Sequence, residues 1–168
     1  MRTTTFTRML VAAAMVVGAG CSAEGLAFRI DDRVEIVAPA DDSVVTVPVT
    51  VRWTADDIEV ATPTRPGTTF LVVLDRTPPA PGRTVASMVE DEPDCRGNQM
   101  AACLTPEALA RRGIYTTTAT ELQLASVPVR TGVPARERDA HQVTVALLDS
   151  QGRRDGEAAF HVAFRART

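Results

Sequence analysis

The stretch Val47-Pro-Val-Thr-Val-Arg-Trp-Thr54 decides the fold, because apolar and polar side chains alternate along it. The apolar residues from Val47 to Trp53 fall on one face, and the polar residues, beginning with Thr50, fall on the other. A period of two residues is typical of a β-strand with one buried face. Pro48 has no backbone N–H, so we expect the strand to begin there or to lie at a sheet edge.

The same alternation recurs along the rest of the chain, interrupted by turns rich in Pro, Gly and Asp. Segment 69–75 is apolar on both faces, which indicates a central strand. Segment 115–120 is β-prone and polar on both faces; it is either an edge open to strand addition by a partner or a strand paired within the sheet. We therefore predict an all-β fold of about seven strands, at 33–38, 47–54, 69–75, 84–89, 121–127, 141–148 and 158–165.

One short helix is expected at 106–112. Thr105 can cap its N-terminus, Pro106 suits the first helical turn, and Gly113 suits the left-handed position after the last turn. So short a helix is stable only when it packs on the rest of the domain. We therefore interpret residues 90–119 as an insertion between strands and not as a second domain.

Residues 1–20 are predicted to be an export signal. Arg2 and Arg8 supply a positive charge ahead of an apolar run at 9–20. The length of this run is that of a signal-peptide core, about 7 to 15 residues. An ordinary secreted protein and an uncleaved membrane anchor are the alternatives for this segment.

The sequence Gly18-Ala-Gly-Cys-Ser22 resembles the lipobox of bacterial lipoproteins, in which small residues precede a cysteine. The resemblance implies cleavage before Cys21, attachment of diacylglycerol to its sulfur, and acylation of its amine by a fatty acid such as palmitate. Residues 21–32 would then be the lipidated cysteine and a short tether. The resemblance places the protein at the cell membrane, anchored by lipid on the extracytoplasmic face.

If Cys21 carries lipid, Cys95 and Cys103 remain as an even pair in an oxidising compartment. We expect a disulfide between them, worth about 2 to 3 kcal/mol in the chain-entropy model. This bridge would hold the insertion and its short helix on the domain. A metal site and a free redox pair are the alternatives for these cysteines.

Segments 49–53 and 141–152 resemble the early and sixth strands of immunoglobulin-like and fibronectin type III-like modules of bacterial surface proteins. Segment 75–82, with the insertion that follows it, looks like actinobacterial lipoproteins of this kind. The resemblance covers about residues 33–166 and implies an immunoglobulin-like β-sandwich. The sixth-strand position that often holds Tyr in such modules is His141 here.

The composition excludes several functional classes. The net charge of −3 over 168 residues leaves no basic surface for nucleic acid. All 18 cationic side chains are Arg, which excludes Schiff-base lysine chemistry and Walker-type phosphate loops. With 2 His and no serine in a G-x-S-x-G motif, a histidine-rich metal site and a hydrolase triad are not expected. We therefore expect no enzyme activity and no cofactor.

Four arginines in predicted loops are candidates for partner binding: Arg76, Arg83, Arg153 and Arg154. Arginine is frequent at interface hot spots, so these side chains suit an acidic partner or lipid headgroups. Solvated loop cations are the alternative.

The remaining candidate groups are acids and the two histidines. Paired aspartates at 31–32, 41–42 and 56–57, with the acidic run at 90–94, offer oxygen ligands for Ca²⁺ or simply a solvated surface. His141 is expected at the edge of the core, and His161 is expected to face solvent.

The sequence thus predicts a non-catalytic, lipid-anchored module that presents its loops at 75–83 and 90–113 to an envelope protein. It would act as a monomer or as part of a membrane complex. Small-ligand or glycan binding is the alternative, and a hydrolytic enzyme is a distant third. Glycan binding through exposed aromatic side chains is disfavoured because the few aromatic residues fall at core-like positions.

Overall fold

The computed structural model describes residues 31–167, except for the side chains of residues 157–160. The predicted export signal, the lipidation at Cys21 and most of the tether lie outside the described residues. Within the described range the chain is mostly β-strand, with few helical turns.

The described residues form eight strands: β1 (Val34–Ala38), β2 (Ser43–Thr46), β3 (Val49–Ala55), β4 (Thr69–Leu74), β5 (Ile114–Thr117), β6 (Glu121–Leu124), β7 (Ala140–Leu148) and β8 (Arg154–Arg167). One sheet has the order β1-β3-β6, and the other has the order β2-β8-β7-β4-β5. All neighbouring strands run antiparallel except β2 and β8, which are parallel.

The two sheets share one apolar core. Val51 and Trp53 point into it from β3, and Phe70 and Phe164 point into it from the five-stranded sheet; all four are buried. Trp53 meets Phe70 edge to face, with ring centroids 5.4 Å apart. The alternation at 47–54 therefore identifies the buried face of β3 correctly, and the predicted all-β fold is confirmed.

The outer face of the five-stranded sheet is also covered. Leu71 and Val73 of β4 point away from the shared core and are buried beneath the segment 85–113. This segment contains three 3₁₀ turns, Val85–Met88, Pro93–Cys95 and Gly97–Gln99, and two short helices, α1 (Met100–Cys103) and α2 (Pro106–Ala110). The prediction that 69–75 is a central strand is confirmed.

The helix α2 begins as the sequence predicts. The Thr105 hydroxyl accepts a hydrogen bond from the Ala108 N–H at 3.2 Å. Gly113 has a φ of +71°, and a Cβ at this position would lie 2.8 Å from the Leu74 carbonyl oxygen. The chain can therefore turn tightly from α2 into β5 only with glycine here. None of the helices among the described residues is long and apolar enough to cross a membrane.

Several predicted boundaries are wrong. Segment 84–89 is not a strand, because the Ser87 hydroxyl donates to the Thr84 carbonyl at 2.7 Å and closes a 3₁₀ turn there. β8 begins at Arg154 and not at 158, and β2 is an additional strand. The predicted insertion at 90–119 includes β5, which pairs with β4 in the sheet.

Candidate functional site

One edge of the five-stranded sheet is open in the described part of the chain. β5 pairs with β4 on one side only. The Leu74 N–H donates to the Gly113 carbonyl at 2.8 Å, which fixes the hydrogen-bonding register. In an antiparallel pair, hydrogen-bonded and non-hydrogen-bonded residues alternate. The backbone N–H and C=O groups of Tyr115 and Thr117 therefore bond to β4, whereas those of Thr116 point away from the sheet. Segment 115–120 thus combines both predicted alternatives: it pairs within the sheet and leaves its other edge free.

Two depressions meet at this edge. One has a volume of about 840 Å³, and its lining includes Leu104, Thr116 and Leu148. The other has a volume of about 350 Å³, and its lining includes Thr116, Tyr115 of β5 and Leu122 of β6. Burial raises the pKa of Tyr115. Leu109 and Thr116 line both depressions, so a strand added at this edge would lie beside both of them.

The β5 edge lacks the chemical features that block strand pairing, although it is short, with four residues. Natural edges are protected by short length, Lys, Pro, bulges or inward-pointing charges. The stretch from Tyr115 to Thr120 contains no charged residue and no proline. Its residues Thr116 and Thr118 are exposed.

The Cys95–Cys103 disulfide is present and confirms the predicted pairing. Arg112 lies beside it: Nη2 is 3.2 Å from the Cys95 sulfur, and Nη1 donates to the Ala108 carbonyl at 3.0 Å. Both sulfur atoms belong to buried residues. Arg112 therefore joins the bridge to the last turn of α2, which supports the outer side of β5.

Acidic side chains complete this cluster. Arg112 Nε donates to Glu92 at 2.7 Å, and Arg112 Nη2 donates to Asp94 at 2.7 Å. Hydrogen bonds from Arg112 and from Arg76 lower the pKa of Glu92, and the Glu92 carboxylate raises the pKa of Arg112. The acidic run at 90–94 is thus largely engaged by arginines.

Two of the predicted partner-binding arginines bind the acidic run of their own chain. Arg76 Nη2 donates to Glu92 at 2.6 Å, and Arg83 Nη2 donates to Glu90 at 2.7 Å. These ion pairs connect the loop at 75–83 with the insertion. The sequence analysis assigned both loops to the partner-binding surface but did not predict that their charges pair with each other.

The other two arginines lie where β7 turns into β8. Arg153 is exposed, and its N–H donates to the Asp149 carboxylate at 2.9 Å in the predicted hairpin turn. Arg154 is not a loop residue: it begins β8, is 8% exposed and donates from Nη1 to the Pro79 carbonyl at 2.7 Å. Burial lowers the pKa of Arg154. The expectation that Arg154 is a loop cation at the surface is therefore wrong.

His141 and Asp75 form a buried pair that sequence reasoning missed. The His141 side chain is 2% exposed, and its Nδ1 is 2.7 Å from Asp75 Oδ2. Asp75 Oδ1 accepts from the Gln142 N–H at 2.9 Å, so the carboxylate is held from two sides. His141 lies at the core edge, as expected, and His161 is exposed, as expected.

A cavity of about 420 Å³ opens next to His141. It lies between the start of β3, the loop that joins β6 to β7, and the end of β8. Its volume is within the range typical of small-ligand pockets, about 300 to 1,000 Å³. The residues that line it are Val47, Val127, Val129, Ala135, Arg138, Asp139, His141, Ala166 and Arg167.

Asp94, Cys95 and Cys103 bring candidate metal-ligand atoms within 4.8 Å of one another. The two sulfur atoms are bonded to each other, so they are not thiolate ligands. The two alternatives for these cysteines, a metal site and a free redox pair, are therefore wrong for this structure.

Comparison with protein-family models, with curated proteins and with solved structures finds no match to this chain.

Proposed function

We propose that this chain is a lipid-anchored protein on the extracytoplasmic face of the cell membrane, where an immunoglobulin-like domain binds a partner protein of the envelope without catalysing a reaction. The anchor is inferred from the lipobox-like sequence around Cys21. A diacylated cysteine carries two acyl chains, which is enough for stable membrane attachment.

The strand order supports an immunoglobulin-like domain. In the seven-stranded form of such domains one sheet contains the first, second, fourth and fifth strands, and the other contains the third, sixth and seventh. With β2 left out of the count, the remaining seven strands follow this arrangement except for the fourth, β5, which pairs with β4 in the sheet of β7 and β8. The aromatic pair Trp53 and Phe70 bridges the two sheets at the centre of the core.

The open β5 edge is the observation that carries the binding function. An extended segment of a partner can hydrogen-bond to the free backbone groups of Thr116, which is the recognition mode called β-augmentation. The two depressions lined by Thr116 offer apolar contact for side chains of that segment. The partner is therefore expected to contribute an uncharged, β-prone segment.

Glycan binding is less well supported. Among the described residues Trp53, Phe70 and Phe164 are buried, and Tyr115 is half-buried. Exposed aromatic platforms on which sugars stack are therefore absent among the side chains that the structure describes.

We expect Thr116→Pro to abolish partner binding while the domain stays folded. Proline removes the N–H that would bond to the partner strand, and this N–H does not bond to β4. The measurement is in-cell photocrosslinking from a benzophenone amino acid at the exposed position 118 of the full chain. The yield of the adduct should fall at least about 10-fold, which corresponds to about 1.4 kcal/mol.

Thr116→Val is the matched control, because it keeps the backbone N–H and the β-branched shape. We expect its adduct yield to equal that of the wild type. Circular dichroism of both purified variants shows whether the fold is retained. An undiminished adduct yield in a folded Thr116→Pro variant would contradict binding at the β5 edge.

A further inference from the structure

The cavity beside His141 has the features of a small-molecule site, and it lies apart from the β5 edge. It borders β7 and β8, whereas β5 lies beyond β4 on the far side of the same sheet. Its walls are largely apolar, formed by side chains such as Val47, Val127 and Val129. Val129 is 64% exposed at the rim of the cavity.

The ring of His141 lines this cavity and is held in one orientation. His141 Nδ1 bonds to Asp75, and its ring packs against Phe164 with centroids 5.7 Å apart. Its other nitrogen, Nε2, has no hydrogen-bond partner among residues 31–167. A ligand in the cavity would therefore lie beside a fixed imidazole ring that has one nitrogen free to hydrogen-bond.

The charge around the cavity favours an anion. Asp139 is neutralised by Arg165, whose Nη1 donates to it at 2.6 Å. Arg138 and Arg167 line the cavity as well, and neither makes an ion pair with any other part of the chain that the structure describes. The cavity thus has two available cations and no uncompensated carboxylate at its wall.

We propose that this cavity binds a small monocarboxylate with an apolar tail. The carboxylate would accept hydrogen bonds from Arg138 and Arg167 next to the His141 ring, and the tail would lie against the valines. Charge-assisted hydrogen bonds of this kind are stronger than neutral ones, and the apolar walls reward the tail in proportion to its buried area. This activity is additional to partner binding at β5.

We expect the full chain carrying Cys21→Ser, which lacks the lipidated residue, to bind sodium octanoate in isothermal titration calorimetry. Acetate, which lacks the tail, and 1-octanol, which lacks the charge, should each bind at least about 10-fold more weakly. Equal affinities for octanoate and 1-octanol would overturn recognition of the carboxylate. No heat and no methyl shift of Val127 or Val129 by NMR with octanoate would overturn the site itself.

Variants at the rim test the two cations. Arg138→Gln with Arg167→Gln should weaken octanoate binding at least about 10-fold, because both charge-assisted bonds are lost. Arg136→Gln is the control for either single variant, Arg138→Gln or Arg167→Gln: it removes one positive charge, as each of them does, from an exposed residue that pairs with Glu137 and does not line the cavity. Equal effects of Arg136→Gln and of the single variants would overturn the assignment, since they would indicate only a change in net charge.

Discussion

Trp53→Ala is expected to lower the free energy of unfolding by about 3 to 5 kcal/mol, the usual cost of removing a large aromatic side chain from a core. Trp53 is 2% exposed and lies between the two sheets against Phe70. The alanine variant leaves a cavity in the core between the two sheets, where Trp53 contacts Phe70. Since domains are stable by only about 5 to 15 kcal/mol, this single change removes a large share of the total.

The measurement is urea unfolding followed by far-UV circular dichroism, because Trp53 is the only Trp of the chain and its fluorescence is lost in the variant. Trp53→Phe is the matched control. It keeps an aromatic ring against Phe70 and removes Nε1, a buried donor without an acceptor among the described residues. We expect Trp53→Phe to cost less than half as much. A loss below about 1 kcal/mol in Trp53→Ala would contradict a core centred on this residue.

Removal of the disulfide is the second large effect. The Cys95→Ala, Cys103→Ala double variant should lose about 2 to 3 kcal/mol, because the bridge closes a loop with a sequence separation of 8. The loss should also be local. Leu71 and Val73 of β4 are buried beneath the segment that the bridge holds, so loosening this segment exposes the outer face of β4.

Hydrogen exchange measured by mass spectrometry separates the loss of overall stability from the local loosening of segment 85–113. Amides in 85–113 should exchange faster in the double variant, whereas those of β3 should change little under conditions in which the domain stays folded. Wild-type protein treated with a reductant is the control, because its sequence is unchanged. Its amides in 85–113 should exchange as fast as those of the double variant. Equal protection of 85–113 with and without the bridge would show that the disulfide is not what holds the insertion.

Local patterns were enough to predict most of the central strands. Alternation over two residues gave the buried face of β3, and the doubly apolar run at 69–75 gave a strand covered on both sides. Capping chemistry at Thr105 and Gly113 gave the position of α2 because each of these residues acts on its immediate neighbours. The prediction of a strand at 84–89 failed because it relied only on such local preferences. The residues are β-prone, but Val89 is buried in the outer core, and the chain turns to bring it there.

The candidate sites depend on pairings that sequence patterns do not encode. His141 and Asp75 are 66 positions apart and meet only because β4 and β7 are neighbours in a particular register. Arg138 and Arg167 come together at the cavity from a loop without periodicity and from the end of β8. Arg154 was predicted to lie in the loop that follows Gly152, but it is the first residue of β8. One feature of the sequence could have indicated the pair with His141: Asp75 is an acidic residue directly after a central strand.

The most direct test of the account is where the protein resides and whether its anchor is needed for partner binding. Wild type and a Cys21→Ser variant with an intact export signal would be compared by membrane fractionation, each with the benzophenone amino acid at position 118. We predict that the wild type stays with the membrane in high salt and is released by detergent. The variant should be soluble outside the cytoplasm and give at least about 10-fold less adduct, because the tether no longer raises its local concentration. Recovery of the variant in the membrane with an unchanged adduct yield would contradict a lipid-anchored binding module.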